Sequence, residues 1–120
     1  MPRINPPLLA PVVFSEDWSM DQVLTCPNCG GDYLHHGTVT VFDRQEDAEA
    51  VVTKISGKHY HTEGPAPPDW GNPSSRRHGL AITFACETCT VSAELTIAQH
   101  KGSTQIEWRY IVLPDPESEE

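Results

Sequence analysis

The 120-residue sequence predicts an all-β domain, an antiparallel meander fastened at one end by paired cysteines. Three observations predict it. Apolar and polar residues alternate with period two through 38–42, 80–85, 91–97 and 105–112, the pattern of strands with one face turned inward. The four cysteines, Cys26, Cys29, Cys86 and Cys89, form two Cys-x-x-Cys pairs, and the second pair falls between two alternating runs. Eleven prolines and the lack of a helix-forming stretch between the pairs leave room for at most one short N-terminal helix.

Residues 1–22 read as a proline-rich arm. Pro2, Pro6, Pro7 and Pro11 block helix and central strand, while Leu8, Leu9, Val12 and Val13 supply apolar side chains. The arm is expected to lie extended on its own domain, with docking on a partner or a second copy as the alternative. Ser15-Glu16-Asp17 offers an N-cap and early acids ahead of Trp18, Val23 and Leu24, which predicts a helical turn or two.

Residues 23–112 form the predicted β domain. Thr38–Phe42 reads as a strand with Val39 and Val41 on one face; 43–49 is a charged, solvated turn; Ala50–Ile55, rich in β-branched residues and stopped by Ser56-Gly57, completes a hairpin. From Gly57 to Gly79 an irregular, proline-rich loop is expected, because residues 64–75 hold four prolines and two glycines. Leu80, Ile82 and Phe84 then alternate up to Cys86, and Val91, Ala93, Leu95 and Ile97 follow, so the second cysteine pair is the turn of a hairpin. Lys101-Gly102-Ser103 turns the chain into a last strand with Ile106, Trp108, Tyr110 and Val112 on one face. Residues 113–120 have the composition of a disordered acidic tail.

The cysteine spacing carries the chemistry. Two residues between cysteines let one tight turn aim both sulfurs at an ion about 2.3 Å away, and four thiolates close a tetrahedral sphere, so the expected site is one structural metal held by Cys26, Cys29, Cys86 and Cys89. Pro27 presets the first turn, and Gly30 and Gly31 let the chain curl past the sulfurs; Thr90 stands where the second turn lacks a glycine, so that turn is expected to be less regular. Cys26-Pro27-Asn28-Cys29-Gly30 resembles the first knuckle of zinc-ribbon families, a resemblance covering both knuckles and the hairpins they cap. Less specifically, Asp32–Arg44 resembles small zinc-ribbon proteins of actinobacteria and their phages, which implies no particular activity. Zinc is the expected ion, an iron site of the rubredoxin kind the less favoured one, and two disulfides the least. His35 and His36 follow the first knuckle closely enough for one of them to donate to a thiolate.

Net charge is −9, of which the ends carry most: residues 1–25 sum to −2 and 111–120 to −4. Such a field does not draw nucleic acid, and no basic run exceeds two residues. A nucleic-acid-binding ribbon is therefore the runner-up, resting on Arg76, Arg77, Lys54, Lys58, Lys101 and Arg109 interleaved with Tyr60, Trp70 and Trp108. The loop also carries His59, His61 and His78, which make it a candidate binding surface; a second metal there, or an HNH-like nuclease using these with Asn72, is the enzyme alternative. The favoured expectation is a cytoplasmic, non-enzymatic protein without membrane contact, its zinc structural, acting through a protein partner or homo-oligomer.

Overall fold

The computed structural model describes residues 8–16, 22–66 and 71–111. Among them there is no helix, and nine strands form two antiparallel sheets: β1 Leu9–Ala10, β2 Phe14–Glu16, β3 Gln22–Leu24, β4 Leu34–Asp43, β5 Ala50–Ser56, β6 His59–Ala66, β7 Gly79–Cys86, β8 Ser92–His100 and β9 Ser103–Tyr110. The large sheet has the order β1-β9-β8-β7-β4-β5-β6, and β2 pairs only with β3. The all-β expectation holds, as do the β7–β8–β9 meander and the β4–β5 hairpin added to it through β4 against β7.

Two expectations are corrected. The helical turn over 15–24 is not formed by its described residues: Phe14–Glu16 and Gln22–Leu24 pair as strands, while Trp18 lies outside the described residues. The irregular loop is shorter than expected, because His59–Ala66 pairs along β5 from Ser56↔His59 to Ala50↔Ala66. Its backbone is satisfied by the β5 ladder, so a segment with no apolar alternation still forms a strand at the sheet edge.

The register decides which residues are buried. Thr40 faces Ala81, Ala81 faces Thr96, and Phe42 faces Val52, so these share one face of the sheet. That face is the covered one: Phe42, Val52 and Ala81 form a core cluster with Ala50. The branched residues Val39, Val41, Leu80, Ile82, Leu95 and Ile97 lie on the other face and are only half-buried. The difference arises from what lies over each face. Segment 71–78 folds across the first, with Ser74 Oγ donating to the Gln99 carbonyl at 2.7 Å and Asn72 Nδ2 to the Arg77 carbonyl at 2.9 Å. The second face is closed where Val91, Ala93, Trp108 and Tyr110 cluster beneath Ala10, Val12 and Leu24. The arm thus packs on its own domain at Ala10 and Val12, with Leu9↔Arg109 and Ala10↔Trp108 adding it to the sheet. Trp108 is fully buried and meets Phe84 edge-on at 5.5 Å.

Candidate metal centre

The cysteines meet at one end of the large sheet. Cys26 and Cys29 occupy the turn leading from β3 toward β4; Cys86 ends β7 and Cys89 lies in the turn before β8. The second pair is therefore a hairpin turn, as expected. The first is not, because the strands on either side of it pair elsewhere, β3 with β2 and β4 with β5 and β7. What aligns the two turns is the β4–β7 ladder, in which Leu34 faces Cys86, supported by Glu87 N donating to the Tyr33 carbonyl at 3.0 Å.

The two turns have the same construction. Gly30 N donates to the Cys26 carbonyl at 3.0 Å and Thr90 N to the Cys86 carbonyl at 3.2 Å; Cys26 N donates to the Gly31 carbonyl at 2.7 Å and Cys86 N to the Val91 carbonyl at 3.2 Å. Thr90 even adopts the left-handed conformation of its glycine counterpart, with φ 63° against 77° at Gly30. The expected irregularity of the second turn is therefore absent. A β-branched residue is held in a conformation it disfavours, because the turn's hydrogen bonds leave no other.

Four sulfurs from these turns form one cluster. Cys26 Sγ stands 3.6 Å from Cys89 Sγ and Cys29 Sγ 3.6 Å from Cys86 Sγ, and all four lie within 4.8 Å of one another. A tetrahedron with metal–sulfur bonds of about 2.3 Å has edges of about 3.8 Å, so the cluster fits one ion with little movement. Each short contact joins one turn to the other. All four are free thiols, so the disulfide alternative is not realised.

Backbone amides point at the sulfurs: Asn28 N at Cys26 (3.4 Å), Gly31 N at Cys29 (3.4 Å) and Cys89 N at Cys86 (3.5 Å). Such donors favour thiolate over thiol. Burial outweighs them at Cys26, whose thiol is pushed up to about 12. At Cys29 the Gly31 amide favours the thiolate, but burial and the sulfurs of Cys86 and Cys89 leave its thiol raised. Burial alone would raise Cys89 as well; the Asn28 side chain, the Val91 amide and the neighbouring thiols bring it down to about 7. Of these three sulfurs Cys89 is thus the one inclined toward the thiolate, while the surroundings of Cys26 and Cys29 favour the thiol. Tyr110 feels the cluster too, its phenol raised first by burial and then by the charges of Cys26 and Cys89. Neither Asn28 nor Tyr110 was singled out by the sequence pattern. Asn28 lies inside the Cys-x-x-Cys motif, but Tyr110 is brought to the sulfurs only by strand order.

The remaining sequence candidates are not gathered. His35 Nε2 meets Glu87 Oε2 at 2.7 Å and His36 stacks edge-on against Phe84 at 6.3 Å, so neither histidine is hydrogen-bonded to a sulfur. His59, Tyr60 and His61 lie on edge strand β6, with His61 Nε2 on Glu63 Oε1 at 2.7 Å. Arg76 makes a two-toothed pair with Asp47 at 2.8 and 2.6 Å, Arg77 reaches Glu46 at 2.9 Å, and His78 Nδ1 accepts from Arg44 N at 3.0 Å. This network ties segment 71–78 to the β4–β5 turn. Asn72 caps its own loop, with Oδ1 accepting from Ser74 N at 3.0 Å, and Trp70 lies outside the described residues. Among the described residues the four cysteines are the one group of three or more His, Cys, Asp or Glu able to hold an ion.

Fold and centre together define an all-β protein with four cysteines positioned to bind one metal ion. Compared with family models, curated proteins and solved structures, the chain matches none. No helix among the described residues is long and apolar enough to cross a membrane.

Proposed function

We propose that this chain is a non-enzymatic binding module whose single zinc ion is structural, in the manner of a zinc ribbon, and which works through protein contacts. Zinc is favoured over iron because the tetrathiolate set suits both but zinc brings no redox chemistry for the protein to manage. Four sulfurs leave no coordination position for a substrate, so the ion fastens two turns and does not act on a reactant.

The observation that carries the contact reading is the β6 edge. It ends the large sheet among the described residues, and Tyr60, 78% exposed, stands opposite Ile55, itself 43% exposed. An open strand edge beside an apolar patch is a means of adding a strand from another chain. The nucleic-acid alternative is weakened by Arg76 and Arg77 being neutralised by Asp47 and Glu46. The test is sedimentation of the full chain over a range of concentrations, followed by cross-linking in its native host, for the wild type and for Tyr60→Ser with Ile55→Asp. Association lost in the variant, with metal content unchanged, supports the reading; association unaffected by both changes removes it. A salt titration against single- and double-stranded DNA and RNA decides the alternative, since phosphate-driven binding must weaken steeply with salt.

A further inference from the structure

On the covered face of the sheet, at the metal end, lies a cavity of about 410 Å³, within the range of small-ligand sites. Its floor is set by register. Thr83 faces Glu94 and Glu94 faces Arg109; Ala85 faces Ser92; Thr40 faces Lys54; each pair lies on the same side of the sheet and lines the space. The β4 bulge between His36 and Val39 borders it, and Thr83 Oγ1 donates to the Thr38 carbonyl at 3.3 Å across that irregularity. Bulges of this kind re-aim side chains beside binding sites.

We infer that this cavity is a binding site for a small organic anion, a carboxylate or phosphate head on a compact apolar body. Three observations carry it. The first is charge: Lys54 and Arg109 line the space against the single carboxylate of Glu94, a net positive lining in a chain of net charge −9. The second is the buried ion pair itself. Arg109 Nε and Nη2 lie 3.1 and 3.0 Å from Glu94 Oε1, with the two side chains 12% and 6% exposed. Ion pairs this deep cost as much to desolvate as they return, so the pair is a weak device for stability alone; its charges cancel, which leaves the ammonium of Lys54 to set the sign of the lining above a fixed polar floor. The third is the mixture of walls: hydroxyls of Thr40, Thr83 and Ser92 supply hydrogen bonds to a head group, while Ala85 and Ile111 offer an apolar wall to the body. Lys54 is exposed and, among the described residues, has no carboxylate within ion-pair distance, so its ammonium is the group available to a ligand.

The test is a two-dimensional amide NMR titration of the zinc-loaded full chain. The probes are phenylacetate and phenyl phosphate (head and body), acetate and inorganic phosphate (head alone) and benzyl alcohol (body alone), each up to about 10 mM. Saturable shifts at Thr40, Thr83, Ser92 and Arg109 with phenylacetate or phenyl phosphate, weaker with the heads and absent with the alcohol, are expected; the tighter of the two names the head group. Lys54→Met, an exposed change that keeps the side-chain length, should weaken binding about tenfold or more, as removal of one charge-assisted hydrogen bond does. Absence of shifts with every anion, equal binding of the alcohol, or equal affinity in Lys54→Met overturns the assignment. None of these outcomes bears on the β6 edge, so this site and the contact reading fail separately.

Discussion

Stripping the metal proposed at Cys26, Cys29, Cys86 and Cys89 is the perturbation that tests most of the structure at once. A structural tetrathiolate site binds zinc with about 10–16 kcal/mol of apparent free energy, so dissociation constants run from tens of nanomolar down to about picomolar. At about 1 μM free metal, linkage then gives about 2–8 kcal/mol of stability that vanishes on chelation. Against the roughly 5–15 kcal/mol that hold a domain together, that loss leaves the metal-free chain marginal. It should not melt evenly. The turns carrying Cys26–Cys29 and Cys86–Cys89 are joined by sulfur contacts, and the Val91–Ala93–Trp108–Tyr110 cluster packs against Cys89. The Phe42–Ala50–Val52–Ala81 cluster is made by strand register and by segment 71–78, away from the sulfurs. Hydrogen exchange with and without chelator should therefore show protection lost first around residues 26–34 and 86–92, with Trp108 fluorescence shifting to the red, while β5 and the middle of β4 exchange later. Elemental analysis should find one ion per chain. Protection unchanged by chelation, or no stoichiometric metal in protein made under reducing conditions, would refute the claim that these sulfurs hold the fold.

Other measurements follow from particular residues. Because the Cys26 and Cys29 thiols are both raised, at least two protons leave as the ion enters, and metal affinity should rise by about two log units per pH unit around neutrality, measurable by competition with a colorimetric chelator. The same upward shift at Cys26, from 9.0 to about 12, favours the metal-free fold below its ordinary value, so that form should weaken as pH climbs through this window. Thr90→Gly should stabilise the protein by about 0.5–1 kcal/mol in urea unfolding, relief of left-handed strain exceeding the added chain entropy; a loss of stability would contradict the shared geometry of the two turns. Gly79→Ala should be costly, since its Cβ would fall on Asn72 Oδ1 and within 2.8 and 2.9 Å of Pro73 Cδ and Cγ. Overpacking together with loss of the Asn72 and Ser74 hydrogen bonds amounts to about 3 kcal/mol and a fall in Tm of about 10 °C or more. Arg76→Ala should change stability by less than about 1 kcal/mol, because its partners are exposed.

Much of this architecture was legible in the chain. Two Cys-x-x-Cys pairs name their own chemistry, since the spacing alone sets where two sulfurs can point, and period-two alternation announces β7, β8 and β9 because each buries at least part of one face. The edge strand β6 was hidden, for His59-Tyr60-His61-Thr62-Glu63 covers no core and so carries no apolar rhythm; the two-residue Gly57-Lys58 turn before it was the available signal.

By itself, then, the sequence determined the strand class and the two cysteine turns of the candidate metal centre, because each depends on residues close along the chain. Tertiary structure decided which face of β4 is buried, that Arg76 and Arg77 are spent on Glu46 and Asp47, and that Lys54, Thr83, Glu94 and Arg109 come to line one cavity. Those outcomes rest on strand order and register, and a one-residue slip in either would turn the same side chains to the opposite side of the sheet.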